Sequence, residues 1–110
     1  MYRVDILAVA EDDIVERIDF VRNRWDEDTA DRAYIGLMDK LSLHATQPLL
    51  GKIPVELSAL GLLNYRVLVH EFHTKVLYEV DADAAAIVIH MVFGSPQDFQ
   101  SLLYKRLMRS

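Results

Sequence analysis

Tyr65-Arg66-Val67-Leu68-Val69-His70, Lys75-Val76-Leu77-Tyr78-Glu79-Val80 and Ile87-Val88-Ile89-His90-Met91-Val92 are the three runs whose reading decides the fold. Each is rich in β-branched and aromatic residues, and each ends in turn chemistry: His73-Thr74, Asp81-Ala82-Asp83 and Gly94-Ser95-Pro96. Links this short make consecutive strands antiparallel. With His70 placed opposite Lys75, Leu68 faces Leu77 and Arg66 faces Glu79. Tyr65, Val67, Val69, Val76, Tyr78, Val80, Ile87, Ile89 and Met91 then share an apolar face that calls for a cover of helices. The other face carries Arg66, His70, Lys75, Glu79 and His90 among Leu68, Leu77, Val88 and Val92. A slip of one residue exchanges the two sets.

Upstream, Tyr2 to Val9 alternates as a first strand, and the period then changes. Ile14, Ile18, Val21 and Trp25 recur at helical spacing from Glu11 to Trp25, with an acidic first turn and Arg22 and Arg24 near the end. After Asp26-Glu27-Asp28, with Asp28 or Thr29 as N-cap, a second helix is expected over 30–45. Its stripe is Ala33, Tyr34, Leu37, Met38 and Leu41. Pro48 bars its continuation. The short link makes the two helices an antiparallel hairpin, and the apolar sheet face is its natural cover.

Residues 47–63, with Pro48, Gly51, Pro54 and Gly61, read as a loop that tucks Leu49, Leu50, Ile53, Val55 and Leu57 against the body. A final helix is expected over 97–109, with Phe99, Leu102, Leu103 and Leu107 inward and Lys105, Arg106 and Arg109 at a basic end. The order β-α-α-β-β-β-α describes an α+β fold, an antiparallel sheet with a helical hairpin packed on one face.

The 110 residues make a single domain over 1–110, with 52% hydrophobic and 26% charged residues. The absence of cysteine excludes disulfides and thiolate metal sites. Acidic residues interrupt any apolar leader, and no run is long enough to span a bilayer, so a cytoplasmic home without membrane contact is expected. Residues 1–50 hold six basic and eleven acidic side chains, which accounts for the whole formal charge of −5. Such a balance is poorly suited to direct DNA binding.

No glycine-rich phosphate loop, Gly-x-Ser-x-Gly or His-Glu-x-x-His occurs. His70, Glu71 and His73 need not converge on a metal, and Asp81 with Asp83 is a hairpin turn; neither a metal nor another cofactor is expected. Arg66, His70, Lys75 and His90 are the candidate catalytic set. Ribonuclease chemistry needs a base for the 2′-hydroxyl, an acid for the leaving oxygen and a cation for the phosphoryl oxygens. The plainer reading pairs Arg66 with Glu79 across the strands and leaves the histidines half-buried.

The chain resembles the RelE/ParE toxins of bacterial toxin–antitoxin operons. The resemblance rests on Tyr65-Arg66-Val67-Leu68-Val69, on Lys75-Val76 running into Leu77-Tyr78-Glu79-Val80-Asp81, on Ile87-Val88-Ile89 and on a closing segment with Asp98. The upstream strand and helical hairpin share the family's order and length. The resemblance implies a toxin of a type II system, of the kind that stabilises plasmids, held silent by a cognate antitoxin.

Within the family, RelE-like members cut messenger RNA on the ribosome, whereas ParE-like members inhibit DNA gyrase and lack the full basic set. By position, Arg66 and Lys75 match basic positions of the RelE-like site, and Tyr78 matches its core tyrosine. Where many members carry a histidine and paired arginines, this chain has Phe93-Gly94-Ser95-Pro96-Gln97. That departure and the acidic surface lead to the ParE-like branch: a protein-binding gyrase inhibitor that is not itself an enzyme. The alternatives are a ribosome-dependent mRNA endoribonuclease using Arg66, Lys75, His70 and His90, or a degenerate non-toxic member that binds the antitoxin. Ile14, Ile18, Trp25, Tyr34, Leu37 and Leu41 are the expected antitoxin-binding residues.

Overall fold

The computed structural model describes residues 1–94, 101 and 103–106. Expectations for Ser95 to Gln97, Asp98, Phe99, Leu102, Leu107 and Arg109 fall outside the described residues. In chain order the elements are β1 (Arg3–Ile6), α1 (Ala8–Arg24), α2 (Glu27–His44), α3 (Val55–Ser58), β2 (Tyr65–His70), β3 (Thr74–Asp81) and β4 (Ala86–Gly94). Residues 103–106 are again helical. The strands form one sheet in the order β1-β4-β3-β2, antiparallel except that β1 lies parallel to β4.

The hairpin of α1 and α2 covers one face. Ala10, Ile14, Leu37 and Leu41 from the helices close over Leu68, Val76, Tyr78, Ile87, Ile89 and Val92 from the sheet. α2 begins three residues earlier than expected because Asp26, not Asp28 or Thr29, caps it: its carboxylate accepts the Thr29 N–H at 2.7 Å. Hydrogen bonding from Thr29 holds the Asp26 carboxyl below its ordinary pKa.

The second face of the sheet has its own smaller core of Leu57, Leu77, Met91 and Phe93, with Tyr65, Val67 and Leu103 packed against it. The helical segment that supplies Leu103 is fastened through Arg106. Its guanidinium meets both carboxylate oxygens of Asp13 at 2.8 Å and donates to the His90 carbonyl at 2.8 Å. Asp13 also accepts the Val92 N–H at 3.0 Å. Beyond Ile89, β4 has outrun its pairing with β1, so these two side chains supply partners that a strand would otherwise give.

Two irregularities overturn the expected register. The β2–β3 turn holds three residues, with Phe72 and His73 both left-handed (φ 58° and 55°), and His70 therefore pairs with Thr74, not Lys75. That odd count rotates every side chain of β2. Leu68 faces Val76 and Arg66 faces Tyr78, so the expected Arg66–Glu79 pair does not form and Tyr65 stands opposite Glu79. Non-glycine residues seldom adopt that conformation. Here the Phe72 ring packs on Val21, Ala30 and Ala33, meets Trp25 edge-on at 5.3 Å, and its carbonyl accepts a hydrogen bond from Arg17.

The second irregularity is a bulge in β4. Leu77 pairs with Met91 and Tyr78 with Ile89, which leaves His90 as the extra residue. Met91 thereby moves to the second face. Residues 47–63 also differ from expectation. Leu57 is buried, but Leu49, Leu50 and Val55 are exposed rather than tucked in.

Candidate functional site

The four candidate catalytic side chains divide two and two across the sheet. Arg66 and His70 lie on the hairpin side. Arg66 donates to the Gly51 carbonyl at 2.7 Å and reaches the Leu49 carbonyl at 3.4 Å, so its charge fastens the loop beside β2. His70 lies under α2, where its Nε2 is buried without a partner and would be 3.5 Å from a Cβ added to Gly36. Burial pushes its pKa down, while Glu71 pulls it up and Lys40 lowers it further.

Lys75 and His90 belong to the second face. Lys75 is half-buried opposite Phe93. His90, thrown out by the bulge, places Nε2 2.9 Å from Oε1 of Glu79. Asn64 donates to the other oxygen of Glu79 at 3.2 Å, and the Tyr65 ring lies 5.4 Å from the imidazole. Burial, then the Glu79 carboxylate, pushes the Tyr65 phenol up. This Asn64–Tyr65–Glu79–His90 group went unseen in the sequence because it depends on the slipped register. An alternating strand gives no sign of whether its turn holds three residues or four. Among the described residues no three His, Asp or Glu side chains gather where they could hold a metal ion.

The outward side of the helical hairpin carries a groove of about 440 Å³, lined by Ile14, Val15, Ile18, Tyr34 and Ile35, with Asp19, Arg22 and Asp31 at its rim. Arg22 is neutralised there by ion pairs to Asp19 and, at 2.7 Å, to Glu27. Of the expected antitoxin-binding residues, Ile14, Ile18 and Tyr34 line this groove. Leu37 and Leu41 do not: at 1% and 2% exposure they are core, because both close over the sheet. Trp25 is half exposed but stands at the Phe72 turn, away from the groove lining. Val15 and Ile35 line the groove as well, and an apolar residue beside or beyond the buried stripe of a helix is the signal that marks them.

The helical hairpin laid on one face of a four-stranded sheet, in the order β1-β4-β3-β2, is a RelE-like fold. The crystal structure of the isolated E. coli RelE toxin in its P21 form is similar over 97% of this chain and 99% of RelE, with a TM-score of 0.59 and 14% sequence identity. No protein-family model and no curated protein sequence matches the chain. Among the described residues no helix is long and apolar enough to cross a membrane.

Proposed function

We propose that this chain is the toxin of a type II toxin–antitoxin pair, that it acts by capturing a protein, and that its target is DNA gyrase in the cytoplasm. The fold supports the toxin class. The observation that carries the mode of action is the division of the cations. Cleavage of RNA requires base, acid and cation around a single phosphate. With Arg66 bound to loop carbonyls and His70 beneath α2 on one face, and Lys75 and His90 on the other, the four do not meet. The acidic balance of residues 1–50 also argues against docking on ribosomal RNA.

The apolar groove of the hairpin is the reading's antitoxin seat. Tyr34 and Ile35 flank it with about half their surface exposed, and a carboxylate rim suits an amphipathic helix with basic edges. Endoribonuclease activity is the second reading, favoured by one observation: Lys75, Glu79 and His90 share a face.

Induction of the chain without its antitoxin, with plasmid supercoiling and cleavage of translated messages followed in parallel, separates the two. Lost supercoiling with intact messages is the expected result. Cut messages with normal supercoiling would establish the nuclease, and undisturbed growth would make the chain a non-toxic antitoxin binder.

A further inference from the structure

Gly36, Lys40 and His44 are spaced four apart and share one stripe of α2, the stripe that meets β2 and β3. His44 is fully buried at the end of that stripe. Its ring lies 4.7 Å from the Tyr78 ring at 30°, and neither of its nitrogens has a hydrogen-bond partner. At the other end His70 reaches up from β2 against Gly36, again with a buried, unpartnered Nε2. Two imidazoles thus enter the α2–sheet interface from opposite sides, with the Lys40 ammonium acting on both.

A neutral imidazole carries one N–H, so His44 already leaves a donor and an acceptor without partners in the core. Protonation would add a second N–H and a charge where the nearest titratable groups offer no compensation. Tyr78 has its hydroxyl engaged by the Gly51 N–H at 2.8 Å and the Pro48 carbonyl at 3.0 Å. Arg66, which acts on Tyr78 from β2, and Lys40, on the same helix as His44, are both cations. Glu71 acts on His70 alone of the two. Just ahead of β1, the Tyr2 N–H approaches the same helix end and donates to the Ala45 carbonyl at 2.8 Å, a bond that carries no charge.

We infer that His44 is an acid-operated release: its protonation drives the imidazole out from beneath α2 and frees the end of that helix, with the following loop, from Tyr78. His70 pushes the same way from the other end. The device does not depend on which target the protein captures.

Burial first and Lys40 second hold the His44 imidazole down at about 4, against an ordinary value of 6.5. A base whose folded pKa is depressed binds its proton in the unfolded chain first. The contribution of His44 is therefore complete above pH 6.5 and is lost as pH falls from 6.5 toward 4. That one-proton difference at His44 steepens the fall of the folding constant by up to tenfold per pH unit across that window.

Urea melts of the full chain and of His44→Phe between pH 4.5 and 7.5 test the device, with amide exchange of residues 41–52 followed alongside. The wild type should lose up to tenfold more of its folding constant per pH unit than the variant, and the amides at the end of α2 should open first. Equal slopes in the two proteins would overturn the inference. If His44→Phe does not fold, the wild-type imidazole itself decides by NMR. A titration near 4 with loss of the native spectrum supports the release, and one near 6.5 in an intact fold refutes it.

Discussion

The Tyr78 hydroxyl and the Gly51 backbone sit so close that a side chain cannot enter between them. The Gly51 N–H donates to that hydroxyl at 2.8 Å, and a Cβ on Gly51 would stand 2.9 Å from it and 2.7 Å from the Val67 carbonyl oxygen. The glycine is required by close approach. Gly51→Ala should therefore cost about 1–3 kcal/mol by overpacking. Tyr78→Phe should cost about the same by leaving the Gly51 N–H and the Pro48 carbonyl without their partner. Urea midpoints measure both, and a neutral Gly51→Ala would mean the loop does not lie against β2 in solution.

Arg66 and Lys75, alike in charge and both half-buried, should respond differently to alanine. Arg66 sits on the hairpin side and donates to the Gly51 carbonyl, a charge-assisted bond, so Arg66→Ala should lose about 1–2 kcal/mol of stability. Lys75→Ala should change stability by less than about 1 kcal/mol. For a protein-capturing toxin the Lys75 variant stays toxic when expressed without antitoxin. Loss of toxicity from this folded variant would favour the nuclease.

The difference between those two residues shows where the sequence stops being legible. The hairpin was readable because the apolar spacing of α1 and α2 repeats without interruption over several turns. On β3, Val76, Tyr78 and Val80 lie on the hairpin face and Lys75, Leu77 and Glu79 opposite, as alternation predicts. On β2 the same logic placed every residue on the wrong face. One turn residue fewer than expected reverses the parity of all that precedes it. Asn or Gly would have announced that turn, but Phe72 and His73 occupy it, held by Arg17, Val21 and Ala30, far off in sequence. The bulge at His90 is equally silent, with no glycine to mark it. The Glu79–His90 pair and the placement of Met91 inherit both irregularities.

At that bulge the Asp13–Arg106 pair should behave as a coupled unit. Its side chains are 15% and 19% exposed, and each also satisfies a backbone group of β4. Asp13→Ala or Arg106→Ala alone should cost about 1–3 kcal/mol, below the range for a fully buried pair because water reaches these groups. The double variant should cost less than the two single changes together, by about 1 kcal/mol or more. Denaturant melts of all four proteins give the coupling directly, and strict additivity would mean the helical segment at 103–106 is not held by this contact.

On α2, neighbouring residues should separate folding from partner binding. Leu37 is 1% exposed in the core, and Leu37→Ala should cost about 2–5 kcal/mol by leaving a cavity. Tyr34 and Ile35 lie on the outward side at 47% and 58% exposure and line the apolar groove. A carboxylate placed there remains in water and should leave the melting temperature within a degree or two, on the order of 0.5 kcal/mol. It would nonetheless meet the apolar face of a docked helix and lose its hydration on binding, a cost of several kcal/mol. Co-purification with the antitoxin should accordingly fail for Ile35→Asp and survive for Leu37→Ala at a temperature where the latter is folded. The reverse pattern would move the antitoxin off the hairpin and onto the sheet.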